Sequence, residues 1–307
     1  MATSSVAVLR HAELQPDFLA IGHVTRDLLP DGSWRLGGTV TYAALTALRL
    51  GLRPAIVTSA PEDVLAAVDA LLPDIPLSVV PSSEATTFEN IYSARGRQQF
   101  LRSRAATLTL AAVPAAWRDA PMVLLGPVAQ EVDASLVGAF PHALVAATPQ
   151  GWLRQWDERG AVTPSLRANT ASLIRQTQVL ILSREDLVPS DASGDEMQPL
   201  MEQADATIRI WARTVPLIAV TRGPEGAVLW QRTAESTLFP GYPAQEVDPT
   251  GAGDVFAAAF LCALREMGDA ARAVDFANRV AACSVEAPGG EGIPTREMVA
   301  ARWNTPD

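Results

Sequence analysis

The stretch Asp248-Pro249-Thr250-Gly251-Ala252-Gly253-Asp254 runs straight into the apolar residues 255–264, a glycine-rich turn feeding a helix. The first N–H groups of such a helix lack intrahelical partners, and the helix dipole concentrates positive charge there. The turn is therefore an anion site centred on Gly251, Ala252 and Gly253. Glycine also lets a phosphate approach the main chain closely. A carboxylate at Asp254, beside a bound anion, is costly unless it has work there. Accepting the proton of an attacking hydroxyl, while backbone amides stabilise a transferring phosphoryl group, is such work. A plain turn whose Asp254 only complements the helix dipole is the alternative reading.

Outward from this turn the chain alternates short apolar runs with helical patterns. The runs fall at residues 18–24, 55–59, 77–80, 122–125, 143–147, 179–182 and 217–220. Val179-Leu180-Ile181-Leu182 is apolar on both faces, as a central parallel strand covered by helices on both sides must be. Two segments interrupt the alternation: residues 26–36, around Pro30-Asp31-Gly32, and residues 86–104, read as strands 86–93 and 98–103 joined around Gly96. They form either a small β flap over a cleft or ordinary surface ribbons. Residues 255–264 and 270–285 are helical, and Pro288-Gly289-Gly290 stops the second. With no repeat or linker-like composition break, residues 1–307 read as one α/β domain carrying the two hairpin segments.

Composition narrows the chemistry. All 24 basic residues are arginine, and the chain holds no lysine. Schiff-base catalysis, a Walker-type P-loop lysine and the protein-kinase strand lysine are thereby excluded, so phosphate must be met by arginine, backbone amides or metal. A net charge of −10 argues against nucleic-acid binding. Cys262 and Cys283 read as buried free thiols, and His11, His23 and His142 show no metal-ligand spacing. No signal peptide or membrane-spanning run is visible, so the expectation is a cytoplasmic protein without a membrane partner. The run after the first strand, Gly22-His-Val-Thr-Arg-Asp27, is not a dinucleotide fingerprint.

The Asp248–Asp254 turn resembles the C-terminal signature of the PfkB-type, ribokinase-like carbohydrate kinases, and further matches follow in order along nearly the whole chain. The resemblance implies a three-layer α/β/α sandwich with a mostly parallel central sheet and a β lid. It also implies ATP-dependent phosphoryl transfer to a hydroxyl of a small polyol, sugar or cyclitol. By the same resemblance Asp254 is the base, Gly251, Ala252 and Gly253 form the anion hole, and Asp27, Gly37 and Gly38 line the acceptor pocket. Thr221, Gly223 and Gly226 after a strand, and Asn278 on a late helix, are similar to the nucleotide-binding segments.

Where such kinases carry Asn-x-x-Glu, tied to magnesium, this chain has Ser183-Arg-Glu185-Asp186. Ser183 then faces the nucleotide, and Asp186, with Glu185 as its neighbour, holds magnesium through water. Asp248 and Thr250 occupy the places where many relatives bind a monovalent cation, implying potassium. Tyr42 stands where sugar kinases of this type place an asparagine. The segments 86–92 and 148–154 look like the branch around myo-inositol kinases, which makes Asn90, Gln150 and Arg154 contacts to a polyol. Arg95, Arg97, Arg102 and Arg104 either steer phosphate or form a solvated face. A nucleoside kinase and a catalytically weak binding protein are the alternatives, and the expected state is a monomer or homodimer.

Overall fold

The computed structural model describes residues 7–10, 15–93, 96–189, 192, 194–232 and 235–303. Its main sheet has ten strands. In spatial order these are β1 (Val8–Arg10), β6 (Leu77–Pro81), β5 (Pro54–Ala60), β2 (Phe18–Ile21), β9 (Met122–Leu125), β10 (Leu144–Ala147), β13 (Val179–Ser183), β14 (Leu217–Thr221), β15 (Ala227–Trp230) and β16 (Ser236–Phe239). From β6 through β14 neighbouring strands are parallel, while β1, β15 and β16 join antiparallel at the edges.

Successive residues of β2 feed opposite faces. Phe18 and Ala20 pack with helices α1 (Thr39–Arg49), α2 (Glu62–Leu71), α5 (Ala252–Met267), α6 (Ala270–Ser284) and α7 (Arg296–Trp303). Leu19 and Ile21 pack with Trp117, Phe140 and helices α3 (Ala168–Gln176) and α4 (Met197–Trp211). Period-2 alternation thus produces the expected helix, sheet, helix layering. Among the described residues no helix is long and apolar enough to cross a membrane. Cys262 and Cys283 are buried free thiols, as expected, and burial pushes the Cys262 thiol up to about 12.

The two interrupting segments do not stay separate. Strands β3 (Thr25–Leu28) and β4 (Trp34–Gly37) pair antiparallel, as do β7 (Thr86–Ser93) and β8 (Gly96–Ser103), and β3 lies parallel to β7. The result is one four-stranded lid sheet in the order β4-β3-β7-β8. Gly96 opens β8 and is not the centre of the turn; Arg95 and the Arg97 side chain lie outside the described residues. A ribbon of β11 (Arg154–Trp156) and β12 (Val162–Pro164) borders β8, whose Leu101 N–H donates to Gly160 O at 2.8 Å.

Chain order in the main sheet turns back between β2 and β9, and their C-terminal ends meet. A Cβ on Gly22 would lie 2.3 Å from Gly126 O, so the first apolar run ends as a strand at Ile21 and the chain leaves for the lid. Such a reversal opens a crevice at the carboxyl ends of parallel strands. Thr148, Ser183 and Thr221, which follow or end β10, β13 and β14, all face that crevice.

Candidate active site

Gly251 caps α5 in the left-handed conformation, with φ 79°. A Cβ there would fall 2.5 Å from the Tyr42 ring, so only glycine fits both the backbone angle and the packing against α1. The Ala252 N–H donates to Pro249 O at 3.2 Å, closing the turn. Gly251 and Gly253 line the main cavity, whereas Ala252 faces a second one.

Asp254 sits in the first turn of α5, surrounded by protein on nearly every side and open to the cavity. Burial pushes its carboxyl up to about 6. A Thr39 hydroxyl bond and the charge of Arg154 hold it down, while the charges of Asp186 and Asp27 raise it further. A carboxylate ionised at neutral pH yet basic enough to take a proton is suited to general-base work.

The main cavity, of about 540 Å³, is walled by Thr39, Thr148, Gln150, Arg154, Asp186 and Asp254 among others. A second, mostly apolar cavity of about 200 Å³ lies among Gly223, Gly226, Tyr242, Phe256 and Asn278. Thr221, Pro249 and Gly253 belong to both walls, so the two spaces meet at the α5 N-terminus. Gly226, with φ 97°, would bring a Cβ within 2.2 Å of Phe239 O. The Asn278 amide donates to Phe239 O and Pro240 O at 3.1 and 3.2 Å, so it braces the wall of that cavity.

The Ser183–Asp186 departure has a local cause. Asp186 Oδ2 accepts from Ser183 N–H at 2.9 Å and Ser183 Oγ accepts from Glu185 N–H at 3.2 Å, a capping box that closes a tight turn. Gln150 Nε2 donates to Asp186 Oδ1 at 2.9 Å, so Gln150 positions Asp186 as well as lining the cavity. Asp186 and Glu185 both border the main cavity, and the charges of Asp186, Asp27 and Arg154 all act on Asp254. Among the described residues no three His, Cys, Asp or Glu side chains gather as a direct metal site, so Asp186 and Glu185 would hold a divalent cation only through water.

Asp27 lies in β3 with its carboxylate against Gly37, where a Cβ would come within 2.5 Å, and it accepts from Thr25 Oγ1 at 3.1 Å. Gly38, with φ 93°, caps α1. The two glycines make the turn that sets Thr39 on the cavity wall. Asn90 Oδ1 accepts from Gln99 Nε2 at 3.1 Å, and Gln99 is the member of that pair on the wall. Arg154 lies over the Phe88 ring, 5.9 Å from its centre. Arg102 pairs with Glu89 at 2.5 Å, and Arg104 binds the Ala129 and Gln130 carbonyls, so both serve the lid and its root.

The expected potassium place is filled differently. Arg35 donates through Nη2 to Thr250 Oγ1 at 2.8 Å and through Nη1 to Asp248 Oδ2 at 3.3 Å. The Asp248 carboxylate also accepts from Thr250 N–H at 3.0 Å and Gly289 N–H at 3.2 Å, and Val285 O accepts from the Val247 and Asp248 amides. Two like unit charges about 4 Å apart repel by roughly 4 kcal/mol at an effective dielectric of 20. Asp248 and Thr250 therefore do not fit a monovalent cation while the guanidinium holds them.

Sequence reading passed over Arg35, Thr39, Thr148 and Glu131. Thr39 follows the paired glycines, and that adjacency was an available signal. Glu131 is fully buried and accepts from the His23, Val128 and Ala129 amides, tying the lid root to the loop after β9. Thr148, 8 % exposed, has a hydroxyl with no hydrogen-bond partner among the described residues, facing the main cavity. Glu131 stands in no motif that would mark it, whereas Thr148 opens the segment 148–154 whose later residues, Gln150 and Arg154, were the ones singled out.

Residues 156–296 match the pfkB family carbohydrate kinase model. Ribokinase of Bacillus subtilis (strain 168) is 44% identical over 81 residues, a segment that spans 26% of this chain but only 27% of that protein. Cytidine kinase of Thermococcus kodakarensis is 24% identical over 259 residues, 80% of this chain and 87% of that one. A pyrophosphate-dependent kinase in the ribokinase family, solved with a pyrophosphate analog and myo-inositol, superposes with a TM-score of 0.73 at 20% identity. That match covers 92% of this chain and 99% of the other. Ribokinase of Arabidopsis thaliana, solved with ribose and ATP, gives 0.69 at 19%, covering 94% and 98%. The matched segment holds the capping turn, the β14 turn and the α5 N-terminus, so residues 156–296 are similar to a pfkB family carbohydrate kinase, and the chain shares the ribokinase-like fold over 92% to 94% of its length.

Proposed function

We propose that this protein is a kinase that moves the γ-phosphoryl group of ATP to a hydroxyl of a small polyhydroxylated acceptor, with a myo-inositol-like cyclitol favoured. The observation that carries the reading is Asp254, a carboxyl raised to about 6 where the two cavities meet at the α5 N-terminus. The acceptor lies in the main cavity, and the apolar second cavity gives a nucleobase its slot. Asp254 Oδ accepts the proton of the attacking hydroxyl as its oxygen bonds to the γ-phosphorus, while the bond from that phosphorus to the β–γ bridging oxygen breaks and ADP leaves. The α5 N-terminus at Gly251–Gly253 stabilises the charge on the transferring group, and Arg154 adds a positive charge on the same wall. Asp186 and Glu185 would hold a hydrated magnesium ion, which neutralises donor phosphate charge when bound. The lid sheet, bordering the crevice, excludes water and so suppresses ATP hydrolysis.

A nucleoside acceptor is the second reading, favoured by the apolar Val162, Pro164, Val188, Met197 and Met201 on the main cavity wall. The test is transfer of labelled phosphate from ATP or pyrophosphate to a panel of cyclitols, hexoses, pentoses and nucleosides. ATP with a cyclitol is the expected productive pair. A nucleoside preferred tenfold or more moves the assignment to the second reading, and no transfer to any acceptor contradicts the kinase reading.

A further inference from the structure

The chain holds its own cation where a monovalent ion was expected. Arg35 lies on the lid strand β4, paired with Asp27 across β3, and reaches 213 residues along the sequence to Asp248. Its two terminal nitrogens meet Asp248 Oδ2 and Thr250 Oγ1, the side-chain oxygens of the two residues expected at that ion. The Asp248 carboxylate is held at 17% exposure, so its charge sits in a partly desolvated place and needs a close counter-charge. The loop it belongs to is the one that presents Gly251 to Gly253. A guanidinium is always charged, and its fixed fork binds two oxygens at once, so it neutralises and shapes the loop as a bound ion would.

We propose that Arg35 replaces the monovalent cation of this loop, so that donor binding and turnover are independent of potassium. The proposal rests on the kinase reading only where turnover is concerned, because the loop and its counter-charge exist without a donor. A consequence follows for the lid: the residue that neutralises the loop is carried by β4, so lid position and loop shape are mechanically linked.

The test compares the full chain with Arg35→Met in potassium, sodium and tetramethylammonium chloride at equal ionic strength. Two quantities are read: the melting temperature of the protein without nucleotide, and the dissociation constant of a non-hydrolysable ATP analogue. The wild type should show the same values in all three salts, within twofold for affinity. Arg35→Met should bind the analogue at least tenfold more weakly in tetramethylammonium, with potassium restoring most of that loss and raising the melting temperature. Potassium that strengthens wild-type binding threefold or more, or that stabilises the wild-type chain selectively, overturns the proposal. So does an Arg35→Met chain as indifferent to potassium as the wild type. Arg35→Gln, which keeps a polar side chain, takes over if Arg35→Met folds poorly. If the wild type binds no nucleotide at all, the kinase reading fails, while the melting temperatures still decide the role of Arg35.

Discussion

The N-terminus of α5 and the loop that Arg35 grips adjoin one another but are made in opposite ways. The first is local: Gly251, Gly253 and Asp254 lie within four residues, and the turn geometry follows from glycine angles and helix termination. The second is assembled across the chain, a lid arginine on an aspartate 213 residues away. Local sites can be read in one dimension, whereas assembled ones need the fold. Mutations at the two places should separate these contributions.

The largest effect outside Asp254 is expected at Gly251→Ala, because the new Cβ meets the Tyr42 ring at 2.5 Å in a left-handed backbone. The variant should lose roughly 100-fold in kcat, as the donors of an anion hole typically cost when displaced. Steady-state transfer kinetics check it, and a loss below threefold would show that the turn tolerates distortion. Next is Glu131→Ala, which strips three buried amides of their acceptor. At 1–3 kcal/mol per orphaned donor, a net loss of about 3 kcal/mol corresponds, for a chain of 307 residues, to a melting temperature lower by roughly 5 °C in calorimetry.

A smaller effect sharpens the electrostatics. Activity should rise with pH through about 6 and level off above it, because the base must be ionised to accept a proton. Asp186 raises the Asp254 carboxyl, so Asp186→Asn should move the rising limb of kcat/KM to lower pH. An unmoved limb would mean that the two carboxylates are not coupled. The smallest effect is at Thr148→Val, which removes a buried unpartnered hydroxyl from the cavity wall. Stability should hold or rise slightly, while the acceptor KM increases about five- to tenfold, the worth of one hydrogen bond.

Much of the fold was legible because both faces of the central strands are buried. The run at 179–182 is apolar throughout and became β13, and the expected run at 143–147 became β10 from Leu144. A flap made by the two hairpins was one of the two readings, but the way they join was not legible, since the parallel pairing of β3 with β7 depends on strands far apart in sequence. Edge strand β1 and the ribbon of β11 and β12 are three residues each, too short to carry a period. In the site, Gln150, Arg154, Ser183, Asp186 and Asp254 line one cavity because strand ends converge there, whereas Asp27, Gly37, Gly38 and Asn90 are not on its wall. Arg35 and Glu131 could not be found that way, as their meaning lies in partners that only folding brings near.

The central claim is that Asp254 acts as the base at the junction of the two cavities. Its most direct test measures Asp254→Asn beside the wild type for phosphoryl transfer to the best acceptor and for affinity toward the non-hydrolysable ATP analogue. The account predicts kcat lower by roughly 100- to 10,000-fold, the range of general-base catalysis, with donor affinity within about threefold of wild type. Transfer at the wild-type rate by Asp254→Asn would contradict it.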